Sequence, residues 1–155
     1  MMNSIMKLGD WIFVHAGITP ENTKGYTSLE ELNNDVRMYL LGVHDYENND
    51  SRLYKLMNGS NSIFWTRYYT SDDEKVVCPT LNKTLGLKIL NKENGKGGMV
   101  VGHTPQEQIT SKCDDKLYFV DTMMSEAFRP KSTKLKRINV LEITNNKYVK
   151  VLSIK

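Results

Sequence analysis

Long apolar runs are missing from this chain. The most apolar stretches are short, as in Trp11 to Val14 and Met99 to Val101, far below the ~20 residues needed to cross a bilayer. Association with a membrane is therefore not expected. Cysteine is scarce: Cys78 and Cys113 stand 35 positions apart, with no Cys-x-x-Cys pair and no histidine at zinc-finger spacing, so reduced, structural thiols are expected. Charge of one sign is also lacking. The 21 basic and 18 acidic residues leave a net +3, too little to imply a nucleic-acid partner. Glycine and proline number only 10 and 4, which excludes collagen-like and low-complexity chains. The first residues, Met1 to Lys7, contain no basic segment leading into an apolar one, so no secretory leader is read there and a cytoplasmic location is expected.

What is present suits a folded domain. With 39% hydrophobic and 25% charged residues in 155, the chain can bury one core, and residues 1–155 are read as a single domain. Its charge is uneven. Residues 1–77 hold 7 basic and 11 acidic side chains, whereas 78–155 hold 14 and 7. The excess gathers in Arg129, Lys131, Lys134, Lys136 and Arg137, either a solvated loop or an anion-binding patch.

Local patterns give an α/β order. Trp11 to Val14 is β-branched and aromatic between Gly9-Asp10 and Gly17, and reads as a buried strand ending at His15. Ser28-x-x-Glu31 is a capping box, and Leu29, Leu32, Val36, Tyr39 and Leu40 follow at helical spacing. A short helix carrying Leu53, Leu56 and Met57 should stop near Asn58-Gly59. Pro79, with Leu81, Leu85 and Ile89 behind it, suggests a helix starting close to the proline. Met99 to Val101 and Lys116 to Val120 read as strands. Ile138 to Ile143 and Tyr148 to Ile154 read as a hairpin, because Asn145-Asn146 tolerates left-handed turns. The result is a layered, mixed α/β domain.

Two of the three histidines share one frame: apolar strand, His, small or polar residues, Pro. They are His15 in Phe-Val-His-Ala-Gly-Ile-Thr-Pro and His103 in Val-Val-Gly-His-Thr-Pro. The carboxyl end of a strand is where an α/β sheet presents ligand-binding groups. Each histidine taken singly is equally accountable as a hydrogen-bonded loop residue; the repeated frame singles out the pair. His44, among the acids Asp45 to Asp50, reads as an ordinary loop residue.

These two motifs, together with Phe-Trp-Thr-Arg (64–67) and Tyr-Phe-Val-Asp-Thr-Met-Met-Ser-Glu-Ala-Phe (118–128), resemble the C-terminal half of calcineurin-like metallophosphoesterases. Within that superfamily they are most similar to the Shewanella-like protein phosphatases of the phosphoprotein phosphatase group. Bacterial diadenosine tetraphosphatases share the His-Ala-Gly and Gly-His-Thr style of motif. The resemblance implies the C-terminal half of a four-layer α/β/β/α sandwich with mixed sheets. It further implies a dinuclear centre of Mn, Fe or Zn that activates water for attack on a phosphate ester. His15 and His103 would be metal ligands, with ring nitrogens within about 8 Å given ions ~4 Å apart and bonds of ~2 Å. Arg67 would clamp the phosphate with its planar fork. Asp121 would orient a ligand histidine from behind, or simply cap the next turn.

The sequence departs from the pattern as well. Gly-Asp-x-His-Gly, Gly-Asp-x-x-Asp-Arg-Gly and Gly-Asn-His-Glu, which in the family supply the other metal ligands and the catalytic histidine, do not occur in it. Met123 stands where the family commonly has glycine. The expectation is a metal-dependent phosphatase of Ser/Thr type, acting on a phosphoprotein or a small phosphate ester. Only the C-terminal metal ligands are present, so no catalytic residue is assigned and a complementing N-terminal half is an expected partner. The alternatives are a catalytically inactive module binding phosphate or polyanions through Arg67 and the Arg129 to Arg137 run, and, within the superfamily, a diadenosine tetraphosphatase-like hydrolase.

Overall fold

The computed structural model describes residues 3–45, 51–71, 73–91, 97–125, 127 and 138–154. The basic run from Arg129 to Arg137 lies outside them. The order is β1 (Ile5–Leu8), β2 (Trp11–Val14), α1 (Leu29–Leu40), α2 (Arg52–Met57), α3 (Glu74–Leu85), β3 (Met99–Val101), β4 (Thr110–Lys112), β5 (Leu117–Phe119), β6 (Ile138–Thr144) and β7 (Tyr148–Ile154). Single 3-10 turns occupy Tyr68–Thr70 and Lys88–Leu90. The architecture is mixed α/β.

Five strands form one mixed sheet in the order β1-β2-β3-β5-β4, and β6-β7 is a separate hairpin. Strands β2, β3 and β5 run parallel, with Val14 beside Val101 and Val101 beside Phe119. Strands β1 and β4 lie antiparallel at the edges. The three parallel strands thus end together, and each is followed within two residues by a polar side chain: His15, His103 and Asp121.

Because side chains alternate across a strand, the sheet has two apolar faces. Ile12, Val14, Met99, Val101, Leu117 and Phe119 face one core, shared with Leu32 and Val36 of α1, Leu56 of α2, and Val77 and Leu81 of α3. Trp11, Val100 and Tyr118 face the other, covered by Leu141, Ile143 and Val149 of the hairpin. Parallel strands need cover on both faces, and helices supply one layer while the hairpin supplies the other.

Helix α1 begins where the capping box predicts, with Ser28 Oγ accepting from Glu31 N at 3.1 Å. The reciprocal half is shifted by one residue: the Glu31 carboxylate accepts from Thr27 N and Thr27 Oγ1, not from Ser28 N. Buried Asn33 ties the helix to the sheet edge, its amide bonding the main chain of Ser4 and Ile5 in both directions. In α3 the expectation fails. Asp73 caps the helix through Lys75 N, and Pro79 sits inside it; the acidic cap and Glu74 set the start, and the helix gives up only the bond the proline nitrogen cannot donate. The cysteines also differ from expectation. Cys78 and Cys113 form a disulfide with Cα atoms 5.4 Å apart, because α3 packs against the β4–β5 turn, a long-range contact that spacing does not reveal.

Asn145 and Asn146 turn the hairpin with φ of 53° and 59°. The Asn146 side chain then reaches the sheet, accepting from Asp10 N at 2.8 Å and donating to Asp10 Oδ2 at 3.2 Å. One residue type both makes the turn and fastens it.

Candidate functional site

His15 and His103 are brought together by main chain. Gly102 N donates to His15 O at 2.8 Å, continuing the β2–β3 ladder past the last strand residues. The rings then meet edge to face, with His15 Nε2 3.2 Å from His103 Nδ1. That separation suits an N–H···N hydrogen bond. It equally suits two nitrogens on one ion, since bonds of ~2.0–2.1 Å in tetrahedral geometry set ligand atoms roughly 3.3 Å apart.

His103 is held in the left-handed region, φ 64°, a conformation uncommon outside glycine and one that clusters at functional sites. Its Nε2 is buried without a hydrogen-bond partner. Burial, first, and then the charges of His15 and Arg67 hold its pKa below the ordinary histidine value, against a smaller upward pull from the Trp65 backbone and Asp121. The lowered pKa favours the neutral imidazole, the form that ligates a metal.

The 61–68 segment supplies the facing wall. Ala16 N donates to Ile63 O, and Ser62 O collects both Trp65 N and Thr66 N, so Phe64 and Trp65 lie on a tight turn, not on a strand. Gly17 is needed where the two segments cross: a Cβ there would stand 2.8 Å from the Tyr69 ring and 3.0 Å from Thr66 Cγ2. Phe64 lies 6.4 Å from His15, and Trp65 sits edge-on to His103 at 5.3 Å while 59% exposed. Arg67 is exposed, next to this turn, and its charge is felt at His103. Its sequence neighbours Thr66 and Tyr68 line, with Thr19 to Asn22, a cleft of about 700 Å³ that neither histidine nor Arg67 lines.

Of the two roles expected for Asp121, the turn cap is the one its hydrogen bonding shows. Its Oδ1 caps the following turn by accepting from Met123 N at 3.2 Å, and its charge reaches His103. Met123 adopts φ 53°, the backbone shape a glycine would supply. His44 is a loop residue 3.9 Å from Asp35.

The donor chemistry of the pair fits a divalent metal; the donor number does not. Among the described residues no carboxylate, thiolate or third imidazole completes a three-ligand set with His15 and His103. The one such set is Glu74, Cys78 and Cys113. Sequence reading missed that trio, although the i, i+4 spacing of Glu74 and Cys78 was visible. It also left Phe64 and Trp65 without a role, although adjacent aromatics directly before Thr-Arg were the available signal.

The chain is 30% identical to uncharacterized protein R398 of Acanthamoeba polyphaga mimivirus, in an alignment covering 98% of this chain and 68% of R398. It belongs to the R398 family. Among solved structures, this R398-family chain is similar to the cold-active protein-tyrosine phosphatase of a psychrophile Shewanella sp. The identity is 25% and the TM-score 0.59, covering 77% of this chain and 34% of that one. A structure of a cold-active protein tyrosine phosphatase at 1.1 Å gives 26% and 0.58, covering 77% and 33%. The chain therefore spans about a third of the phosphatases it resembles, and it has a phosphatase-like fold. No family model matches it.

Proposed function

We propose that this R398-family chain is the C-terminal part of a calcineurin-like metallophosphoesterase site acting on phosphate monoesters. The observation that carries the reading is the 3.2 Å approach of His15 Nε2 and His103 Nδ1 at the shared carboxyl end of parallel strands, within range of Arg67 and Asp121. In this reading the two imidazoles are metal ligands, Arg67 holds two phosphate oxygens at once, and Asp121 keeps His103 oriented. Bound Mn, Fe or Zn would polarise the ester and lower the pKa of attacking water. Two donors do not hold such ions, so further ligands must come from outside this pair, as a complementing segment carrying the family's other motifs would provide.

The wall facing the histidines bears on the leaving group. Trp65, exposed beside His103, offers a face to an aromatic ring, which favours an aryl phosphate such as phosphotyrosine over the Ser/Thr type expected from sequence. The phosphatases of similar fold are described as tyrosine-directed. For location, the Cys78–Cys113 bridge favours an oxidising setting over the cytoplasm expected from the N-terminal sequence.

The test is complementation. The 155-residue chain should turn over p-nitrophenyl phosphate little or not at all with added Mn. A second segment bearing the three missing motifs should restore metal content and turnover, and His103→Ala should remove both. Strong Mn-dependent turnover by the chain alone, lost in His15→Ala, would show that its own acids complete the site. A second reading rests on the two-ligand count: a catalytically inert phosphate-binding module. It predicts phosphate binding that depends on Arg67 with no turnover under any complementation.

A further inference from the structure

At the opposite end of the sheet from His15 and His103, the turn from β4 into β5 meets the first turns of α3. Glu74 and Cys78 stand at i and i+4 on that helix, a spacing that puts two side chains on one face. Cys113 comes from the turn, the first of three consecutive residues in the left-handed region, with φ of 58°, 54° and 58° through Asp115. Glu74 Oε2 accepts from Cys113 N at 2.9 Å and lies 3.5 Å from Cys78 Sγ. One ligand atom from each of the three falls within 4.8 Å of the others. Cys113 is 6% exposed, Cys78 half-buried and Glu74 exposed, so the cluster is walled by protein on one side and open to solvent on the other.

We infer that this cluster is a metal site of the reduced protein, taking Zn²⁺ or a similarly thiophilic divalent ion, and that the Cys78–Cys113 disulfide is its metal-free, oxidised alternative. A dithiol reductant opens the bridge: the S–S bond accepts two electrons and two protons, giving two cysteine thiols, while the reductant closes to its own disulfide. Binding of Zn²⁺ then releases both thiol protons and forms two Zn–S bonds. Glu74 contributes a carboxylate oxygen with no proton change, and water fills the fourth position. Two thiolates and one carboxylate suit zinc over magnesium or calcium, which prefer all-oxygen sites. Three protein ligands with one open position is an established zinc arrangement. A helical i, i+4 pair joined by a third ligand from a facing turn needs only rotation about the cysteine χ1 angles, because the Cα atoms already stand 5.4 Å apart. The site is independent of the phosphate reading and shares no residue with it.

The experiment is a cobalt titration of the reduced full chain, followed by displacement with zinc. Thiolate-to-cobalt charge transfer gives a near-ultraviolet band that imidazole ligands at His15 and His103 cannot produce. The expected result is one thiolate-bound cobalt per chain, no band in the oxidised chain, and no band in Cys113→Ser. Glu74→Gln, which removes the charge of a direct ligand, should weaken binding by about tenfold or more, since the loss of even an outer-shell partner costs ~10–100-fold. That variant retains both cysteines, so intact disulfide formation on reoxidation, read by mass, certifies its fold. A reduced, folded wild-type chain without a thiolate band would overturn the proposal, as would a Glu74→Gln variant that binds cobalt as tightly as wild type.

Discussion

Gly98 lies against Lys116 so closely that a Cβ on the glycine would stand 2.0 Å from the Lys116 carbonyl oxygen. The two residues lead into β3 and β5, and Met99 N donates to that same carbonyl at 2.8 Å. The parallel pairing that aims His103 and Asp121 in one direction begins at this contact. Gly98→Ala should therefore disrupt the pairing and cost roughly 3 kcal/mol or more, the range of severe core defects. Gly102→Ala, whose Cβ would meet nothing nearer than 3.5 Å, should shift the urea midpoint little. Equal loss in the two variants would show that the β3–β5 entry is not the constraint.

The His103 site makes stability depend on pH. Because the folded state holds this imidazole below its ordinary pKa, the unfolded chain binds more protons as pH falls through the usual histidine range near ~6.5. The contribution of neutral His103 is complete above that range and declines as pH drops toward the depressed folded value. His103→Asn should flatten the fall in urea midpoint between about pH 7 and 5. An unchanged slope in the variant would contradict the burial and charge argument.

Glu31 acts in the same direction, but in a more acid range. Backbone and side-chain hydrogen bonds from Thr27, then Arg52, lower its pKa from 4.5 to about 2. Its contribution is present above the unfolded value and is lost as pH falls toward about 2. Glu31→Gln should remove that acid-range slope while leaving neutral-pH helicity of α1 nearly intact. Acid titration followed by circular dichroism distinguishes this from a variant in which the helix is lost at every pH.

Reduction of the disulfide frees a 35-residue loop. Loop-closure entropy for that length puts the loss near ~4 kcal/mol, with typical values of 2–4. The reduced chain should unfold at lower urea, and zinc should recover part of the difference if the cluster at Glu74 binds it. No change in midpoint on reduction would indicate that α3 and the β4–β5 turn remain docked without the link.

Helix α1 and the β6–β7 hairpin were readable because their signals are local: a capping box with apolar residues every three or four positions, and an Asn-Asn turn between alternating runs. Strand β1 was not, since only Ile5 is fully buried while Met6 and Leu8 are 41% and 55% exposed, leaving too weak a pattern. Strand β4 hides for a related reason: Thr110–Lys112 is a polar edge held by pairing to β5 alone. The histidine pair could be read because both residues follow apolar strands in the same frame. The aromatic turn at Phe64-Trp65 and the Glu74 cluster depend on contacts between distant segments, which neither composition nor periodicity encodes.

The latch between Asn146 and Asp10 joins residues 136 positions apart, so the β6–β7 hairpin closes over the sheet only once residues 138–154 are available to dock. Until then Trp11, Val100 and Tyr118 present an apolar face to solvent. A ribosome-bound or prematurely ended chain lacking 138–154 would carry that face uncovered, and protein quality control would meet it as an adhesive surface.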